Sequence, residues 1–424
     1  MVDFDKKNVW RNILIIIPFL ILIYFYETNL LSYTFSKSVS DYRCHVDFAL
    51  KMAESGKINT PHFLYQLLVI EATNLFFLPS SPPTLETYLK GAYLVSIVIA
   101  ISLFLMLLVI LRLSIKRKEV GYSLLVACIS LFFMMGSAIN VFTPLDRHAY
   151  LGYLPLNIYH NPTITLLKLC SIPLFLISLR IFKPSKSGKL WSVLGSVLFS
   201  ILCALSKPSF TVIILPALGV VVIYKLWKNE YVDWTLLLLG ILLPSAVVLG
   251  WQYLVLWGSG WELVDQAIYE AGLVTPTRMA LVPFGQLIRW KVPLFLLLPK
   301  LLFSILFPLT VYVAFWKKSH KDLVFNLGWL IFGFGCLSTY FLVEINHKGA
   351  ILFAGNFTWS GLIGVFMLFL STTIFWLKEI SGKFSIAELG SWRFGIPILA
   401  LALHWVFGII WYLDQFRLDI GKMF

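Results

Sequence analysis

Long apolar runs alternate with short polar stretches along most of the chain. Many of the runs are close to 20 residues, the length at which a helix crosses the hydrocarbon core of a bilayer. The alternating segments of about ten residues that form membrane β-barrels are not visible. The pattern predicts an all-α polytopic membrane protein with about eleven transmembrane helices, whose approximate cores are 12–31, 92–112, 121–142, 163–182, 191–206, 209–227, 234–257, 293–315, 323–343, 358–377 and 394–413.

Composition supports this class. Only 13% of the 424 residues are charged and 59% are hydrophobic, whereas a soluble domain has roughly 25% charged residues. No linker separates a second domain, so residues 1–424 are expected to form a single transmembrane domain. The five cysteines show no CxxC spacing, and they indicate neither a disulfide framework nor a zinc site.

The basic residues predict the orientation. If the N-terminus is cytoplasmic, the short loops rich in Lys and Arg all fall on the cytoplasmic side. The net charge of +13 is then explained by anchoring at that face, and nucleic acid is not an expected partner. The longer polar loops lie on the opposite side, and any chemistry is expected in the extracytoplasmic loops.

The first extracytoplasmic loop, residues 32–91, is the longest. A helix is expected from about Asp41 to Ser55, with Gly56 ending it. Residues 61–79 are nearly long enough to span, but Gln66, Glu71 and Asn74 interrupt the run. We therefore predict a second, amphipathic helix lying in the outer interface.

Four polar clusters on the predicted outer side are candidates for a site. In the first, Asp41 and His45 are one helical turn apart, although Asp41 is equally explained as a helix cap. In the second, Asn161 and Pro162 are typical of a helix start. In the third, Lys207 lies between two spans, either as a snorkelling anchor or as a contact for an anionic lipid head. In the fourth, the loop residues Glu344, His347 and Lys348 precede a Gly-Asn-Phe turn that opens a span, where the helix start can receive an anion, and an ordinary polar loop is the alternative. The candidate binding residues in these clusters are Arg43, His45, Arg147, His148, His160, Lys207, Glu344, His347, Lys348 and Asn356.

Several familiar sites are missing from the sequence. There is no Walker A loop, no GxGxxG after a strand, no HExxH and no GxSxG. Nucleotide-driven transport and hydrolase-type covalent catalysis are therefore disfavoured. The spans also carry very few charges, unlike those of ion-coupled transporters.

Together these motifs resemble those of the GT-C membrane glycosyltransferases, and in particular of bacterial members. The resemblance rests on D-x-x-x-H followed by PHFLY in the first loop, YHNPT before a span, KPS between spans, and E…H-x-G…GNF-x-W late in the chain. Here these motifs begin at Asp41, Pro61, Tyr159, Lys207 and Glu344. Their order covers most of the chain.

The resemblance implies inverting transfer of a hexose or pentose from a polyprenyl-phosphate donor to a glycan, lipid or protein, at the outer face of a bacterial cytoplasmic membrane. It carries the catalytic base onto Asp41, with Asp47 as the competitor. No acid is adjacent to Asp41, so a divalent metal is not favoured and no cofactor is expected. Two rival functions stay open: a flippase for lipid-linked sugars, and a polysaccharide polymerase or ligase that uses a diphosphate-linked donor.

Overall fold

The computed structural model describes residues 6–36, 41–58, 60–77, 84–115, 120–148, 151–159, 161–184, 188–257, 277–346, 349–351, 357–381 and 391–417. These residues are mainly helical. The first half contains α1 (Lys6–Ser36), α2 (Asp41–Ser55), α3 (Leu64–Phe76), α4 (Leu85–Leu113), α5 (Val120–Met135), α6 (Thr143–Asp146), α7 (Pro162–Ser178), α8 (Lys189–Ser206) and α9 (Ser209–Trp227). The second half contains a π-helical turn (Leu236–Leu242) that continues into α10 (Leu243–Trp257), then β1 (Thr277–Leu281), α11 (Gly285–Arg289), α12 (Leu297–Ser304), α13 (Leu306–Ala314), α14 (Trp316–Ser319), α15 (Leu323–Phe341), β2 (Leu342–Asn346), α16 (Thr358–Ile380) and α17 (Trp392–Arg417).

Nine helices in the described part of the chain are long and apolar enough to cross a membrane. The protein is therefore a multi-pass helical membrane protein, as the sequence predicts. Two of the eleven predicted spans differ from a simple crossing. The third contains a short apolar helix, Tyr122–Met135, and the eighth is a pair of helices, Leu294–Ser304 and Leu306–Ala314, bent by 64°. Counting the bent pair as one span gives ten, and the number eleven stays a prediction.

Helix α16 is the centre of the bundle, because every residue in its most apolar stretch is buried. It packs along α15 at very short range. A Cβ atom added at Gly335 would lie 2.7 Å from the carbonyl oxygen of Ser360, a distance that real side chains do not tolerate. Small residues of this kind let membrane helices approach closely and gain packing energy.

The two helices predicted in the first polar loop are present. The first ends at Ser55, and Gly56 follows with the left-handed φ of 65° that favours glycine at this position. Tyr42, Val46 and Ala49 form its buried stripe. Helical spacing in the sequence extends this stripe to Leu50 and Ala53, and that extension is wrong at its far end, because Ala53 is exposed. The extracytoplasmic, interfacial position of these helices remains a prediction.

A small antiparallel sheet was not predicted. Strands β1 and β2 have five residues each, and Met279 faces Glu344 in their register. Strands this short give too few alternating positions to be distinguished from a loop. The sheet matters for function because it places Glu344, which the sequence assigned to a loop.

Candidate functional site

The side chains of Asp41 and Asn161 join two distant parts of the chain. The Asn161 Nδ2 donates a hydrogen bond of 2.7 Å to the Asp41 Oδ2. Asp41 is the first residue of α2 and is half-buried. The carboxylate is therefore held at one oxygen, and the other oxygen accepts no hydrogen bond in the described part of the chain.

Asn161 makes hydrogen bonds to two segments of the chain, α2 and the start of α7. Its Oδ1 accepts hydrogen bonds from the backbone N–H groups of Thr163, at 3.0 Å, and Ile164, at 3.3 Å. It thereby caps α7, with Pro162 at the first helical position, as the sequence predicts. With Oδ1 used by the cap, Nδ2 points to Asp41. The amide orientation therefore follows from the capping geometry.

Lys207 lies in the two-residue link between α8 and α9, as predicted. Its side chain is buried, with 2% of the residue exposed. The Nζ atom donates a long hydrogen bond of 3.4 Å to the Thr163 Oγ1 and lies 4.4 Å from the centre of the Trp359 ring. An ammonium has three donors, and within the described residues only this one hydrogen bond is made.

Two carboxylates act on the charge of Lys207. Burial lowers the pKa of Lys207 to about 8, and the negative charges of Asp41 and Glu344 oppose that shift. Glu344 is itself buried on β2. An acid from the first loop, a lysine between two spans and an acid from the sheet therefore form one electrostatic cluster, which we call the Asp41–Lys207 site.

His45 borders this site on α2, one turn after Asp41. Its Nδ1 lies 2.8 Å from the Nε2 of Gln66 on α3. Burial lowers the pKa of His45 to about 4. Asp41 opposes the shift and Lys207 adds to it. The ring is therefore neutral at pH 7. The ring of His62 lies 6.4 Å away, between centroids.

Other predicted site residues are not brought to Asp41. Arg147 is exposed and has a left-handed φ of 62°, and His148 follows it. Both border a buried ion pair between Asp146 and Lys300. No contact between this pair and the Asp41–Lys207 site is found within the residues that the structure describes. Arg43 is half-buried two positions after Asp41, on a different side of α2.

Four predicted residues, His160, His347, Lys348 and Asn356, lie outside the described residues. Their proposed roles therefore stay predictions.

Sequence reasoning missed several residues of the site. Thr163 and Trp359 were noted only as parts of motifs, and Gln66 only as a polar interruption. Gln66 is fully buried, and a polar residue on the apolar side of an amphipathic helix is the signal that could have identified it.

Two of the few charged residues inside the predicted spans are buried and face each other's charge. Glu27 lies inside α1 and Lys168 inside α7, both are buried, and each lies within the electrostatic reach of the other. The Lys168 Nζ donates to the Leu156 carbonyl at 2.8 Å and to the Asn157 Oδ1 at 2.7 Å. Single charges of this kind are hidden when hydropathy is averaged over a whole span.

The arrangement can bind an anion and accept a proton at neighbouring positions. Among the described residues, no three His, Cys, Asp or Glu side chains are placed to hold a metal ion. The fold and the site together define a polytopic helical membrane protein with a buried acid–lysine site. The chain matches no protein-family model, no curated protein and no solved structure.

Proposed function

We propose that the protein is a GT-C-type glycosyltransferase that moves a sugar from a polyprenyl-phosphate donor to an acceptor hydroxyl at the extracytoplasmic face, with inversion. One observation carries the proposal: among the described residues, the buried ammonium of Lys207 has unused donors, and it lies in the electrostatic reach of the half-buried carboxylate of Asp41. Buried polar groups in proteins are almost always hydrogen-bonded, so a buried donor without an acceptor is a candidate for binding a ligand. A phosphate oxygen is a suitable acceptor for those donors.

The proposed reaction is a single displacement. Asp41 accepts the proton of the acceptor hydroxyl as its oxygen attacks the anomeric carbon. The new glycosidic C–O bond forms as the bond between the anomeric carbon and the phosphate oxygen breaks. The electron pair of the broken bond leaves with the polyprenyl phosphate, where Lys207 stabilises the developing negative charge. Asn161 holds one oxygen of Asp41 and leaves the other for the acceptor.

The position of the site along the spans suits a lipid donor. Asn161 caps one candidate span, and Lys207 joins the ends of two others. Charged lipid headgroups lie at the ends of membrane spans, while the lipid tail lies beside the apolar helices. Lys207 therefore lies at the depth along the spans where the phosphate of a lipid-linked donor would lie.

A flippase for lipid-linked sugars is the second candidate, and a specific observation favours it. Glu27 and Lys168 are buried inside two spans, and charges inside the membrane often mark a transport path. A polymerase or ligase with a diphosphate-linked donor is the third possibility, and it is distinguished by its donor.

The test begins with the lipid that co-purifies with the protein, identified by mass spectrometry. Sugar-loaded monophosphate and diphosphate forms of that lipid are then offered to the protein in liposomes, with and without candidate acceptors. We expect a new glycosidic bond, with inversion, only from the monophosphate donor and only with an acceptor. Movement of the donor across the bilayer without any transfer would favour the flippase, and transfer from the diphosphate donor alone would favour the polymerase or ligase.

A further inference from the structure

Gln66 and His45 form a buried polar contact that the proposed reaction has not used. Gln66 is fully buried on α3, and its Nε2 lies 2.8 Å from the Nδ1 of His45 on α2. An amide nitrogen only donates hydrogen bonds. The Nδ1 atom must therefore present its lone pair, and a neutral imidazole then carries its hydrogen on Nε2.

We propose that Gln66 is a positioning residue that fixes this tautomer, and that the Nε2–H of His45 donates to an uncharged oxygen of the substrate held beside Asp41. The proposal rests on the proposed function for its substrate, and it deepens that function by assigning a neutral donor to the sugar or acceptor side. Lys207 is left for the phosphate.

The opposite amide orientation would place the hydrogen on Nδ1 and turn Nε2 into a base. Two considerations favour the orientation observed. With it, the atom that has no partner among the described residues is the Gln66 Oε1, a carbonyl oxygen. With the other, a buried NH₂ group would be left unpaired, and buried N–H groups without partners are rarer than carbonyls without them. The reaction also has its base in Asp41, so a donor is the complementary group.

The surroundings keep His45 neutral. The titratable and charged groups that face it are Asp41 on its own helix, His62 before α3, and Lys207 in the α8–α9 link. The Tyr65 ring lies 6.0 Å away. Burial outweighs the attraction of Asp41 and lowers the pKa of His45 to about 4. Within the described residues Nε2 has no hydrogen-bond partner, so its donor is available to a ligand.

The tautomer can be measured without knowing the substrate. Protein labelled with ¹⁵N-histidine is reconstituted in nanodiscs, and the His45 signals are assigned by their loss in His45→Gln. We expect an unprotonated Nδ1 and a protonated Nε2 from pH 8 down to about pH 5. Gln66→Met removes the amide at similar side-chain length and should mix the tautomers. Gln66→Glu should reverse them, because a carboxylate accepts from Nδ1–H.

Asn74→Leu is the matched control, since it removes an exposed amide from the same helix. A hydrogen on Nδ1 in the natural protein, or a tautomer unchanged in both Gln66 variants, would overturn the assignment.

In the transfer assay Gln66→Met should lower kcat/KM about tenfold, the typical effect of losing one hydrogen bond, while Asn74→Leu should not. Unchanged kcat/KM in Gln66→Met would overturn the substrate contact. The expected tautomer in a protein without transfer activity would instead refute the proposed function alone.

Discussion

Lys207 and Lys300 are both buried lysines, but their surroundings are opposite. The Lys300 Nζ is paired with Asp146 and also donates to the carbonyls of Leu151, at 3.0 Å, and His148, at 3.4 Å. All its donors are used, and the ring of Tyr153 covers it at 4.8 Å. Within the part of the chain that the structure describes, the Lys207 Nζ has one long hydrogen bond and two carboxylates within electrostatic reach.

The difference is the one that we expect between a lysine with a structural role and a lysine that binds a ligand. A buried charge whose partners are all present stabilises one conformation, and it has nothing left for a ligand. A buried charge with unused donors is costly unless something binds to it. Lys168, with two short hydrogen bonds, is intermediate between Lys207 and Lys300. Burial alone therefore does not distinguish these lysines, whereas the number of hydrogen-bond partners among the described residues does.

The largest expected effect is on stability, at Lys300. Lys300→Met leaves the carboxylate of Asp146 buried without its cation, which typically costs about 3–5 kcal/mol. Thermal unfolding in detergent measures this loss. The double variant Asp146→Leu/Lys300→Met removes both charges and should recover much of the stability. If the double variant is no more stable than the single one, the ion pair is not what the structure requires.

Lys207→Gln should lower transfer and leave stability almost unchanged. Because the buried ammonium has few partners, its removal should change stability little, while transfer should fall about 10²–10³-fold, as when one stabiliser of developing negative charge is lost. Lys228→Gln is a matched control, since the Lys228 Nζ also lies over a tryptophan ring, at 4.6 Å from Trp227, but at the surface. Equal losses of transfer in the two variants would remove the distinction between Lys207 and any other lysine near an aromatic ring.

The pKa of Lys207 should appear in the pH dependence of transfer. Because the ammonium must be charged, the rate should fall about tenfold per pH unit above the pKa of about 8. Lys207→Arg keeps its charge and should move this decline to higher pH. The free energy of unfolding should rise between pH 8 and about 10.5, because there the unfolded chain binds more protons at this position than the folded one. A pH profile that is identical in Lys207→Arg would assign the decline to another group.

The smallest expected effect concerns Asn161. Asn161→Ala loses the helix cap, at a cost of about 1 kcal/mol, and it also releases Asp41. Asn161→Ser keeps a capping oxygen but has no amide to donate to Asp41. We therefore expect both variants to lose transfer and only Asn161→Ala to lose stability. Full transfer in Asn161→Ser would show that Asp41 does not depend on Asn161.

Local patterns in the sequence predicted the parts of this site that depend on neighbouring residues. The helix from Asp41 to Ser55, the cap at Asn161 and the link at Lys207 follow from helix signals within a few positions. The contact between Asp41 and Asn161 spans 120 positions. It depends on how α2 packs near α7, which no local pattern encodes.

The same limit explains the other differences. In the sequence, Gln66 only interrupts an apolar run, and its partner His45 is identified by the structure alone. Glu344 is a loop residue in the sequence, because the pairing of its strand with β1 cannot be predicted locally. Arg147 lies in a loop with many polar residues, and the sequence therefore made it a candidate. Its neighbour Asp146 already forms an ion pair with Lys300. The density of polar residues in a sequence therefore predicts where a cluster forms, and not whether its charges are already satisfied.

The most direct test of the central claim compares two carboxylates on one helix. Asp41→Asn and Asp47→Asn are purified, shown to unfold at the same temperature as the natural protein, and assayed for transfer from the monophosphate-linked donor. We expect Asp41→Asn to lose about 10²–10⁴-fold in turnover, the usual contribution of a general base, and Asp47→Asn to stay close to the natural rate. Natural turnover in a folded Asp41→Asn variant would contradict the assignment of Asp41 as the base.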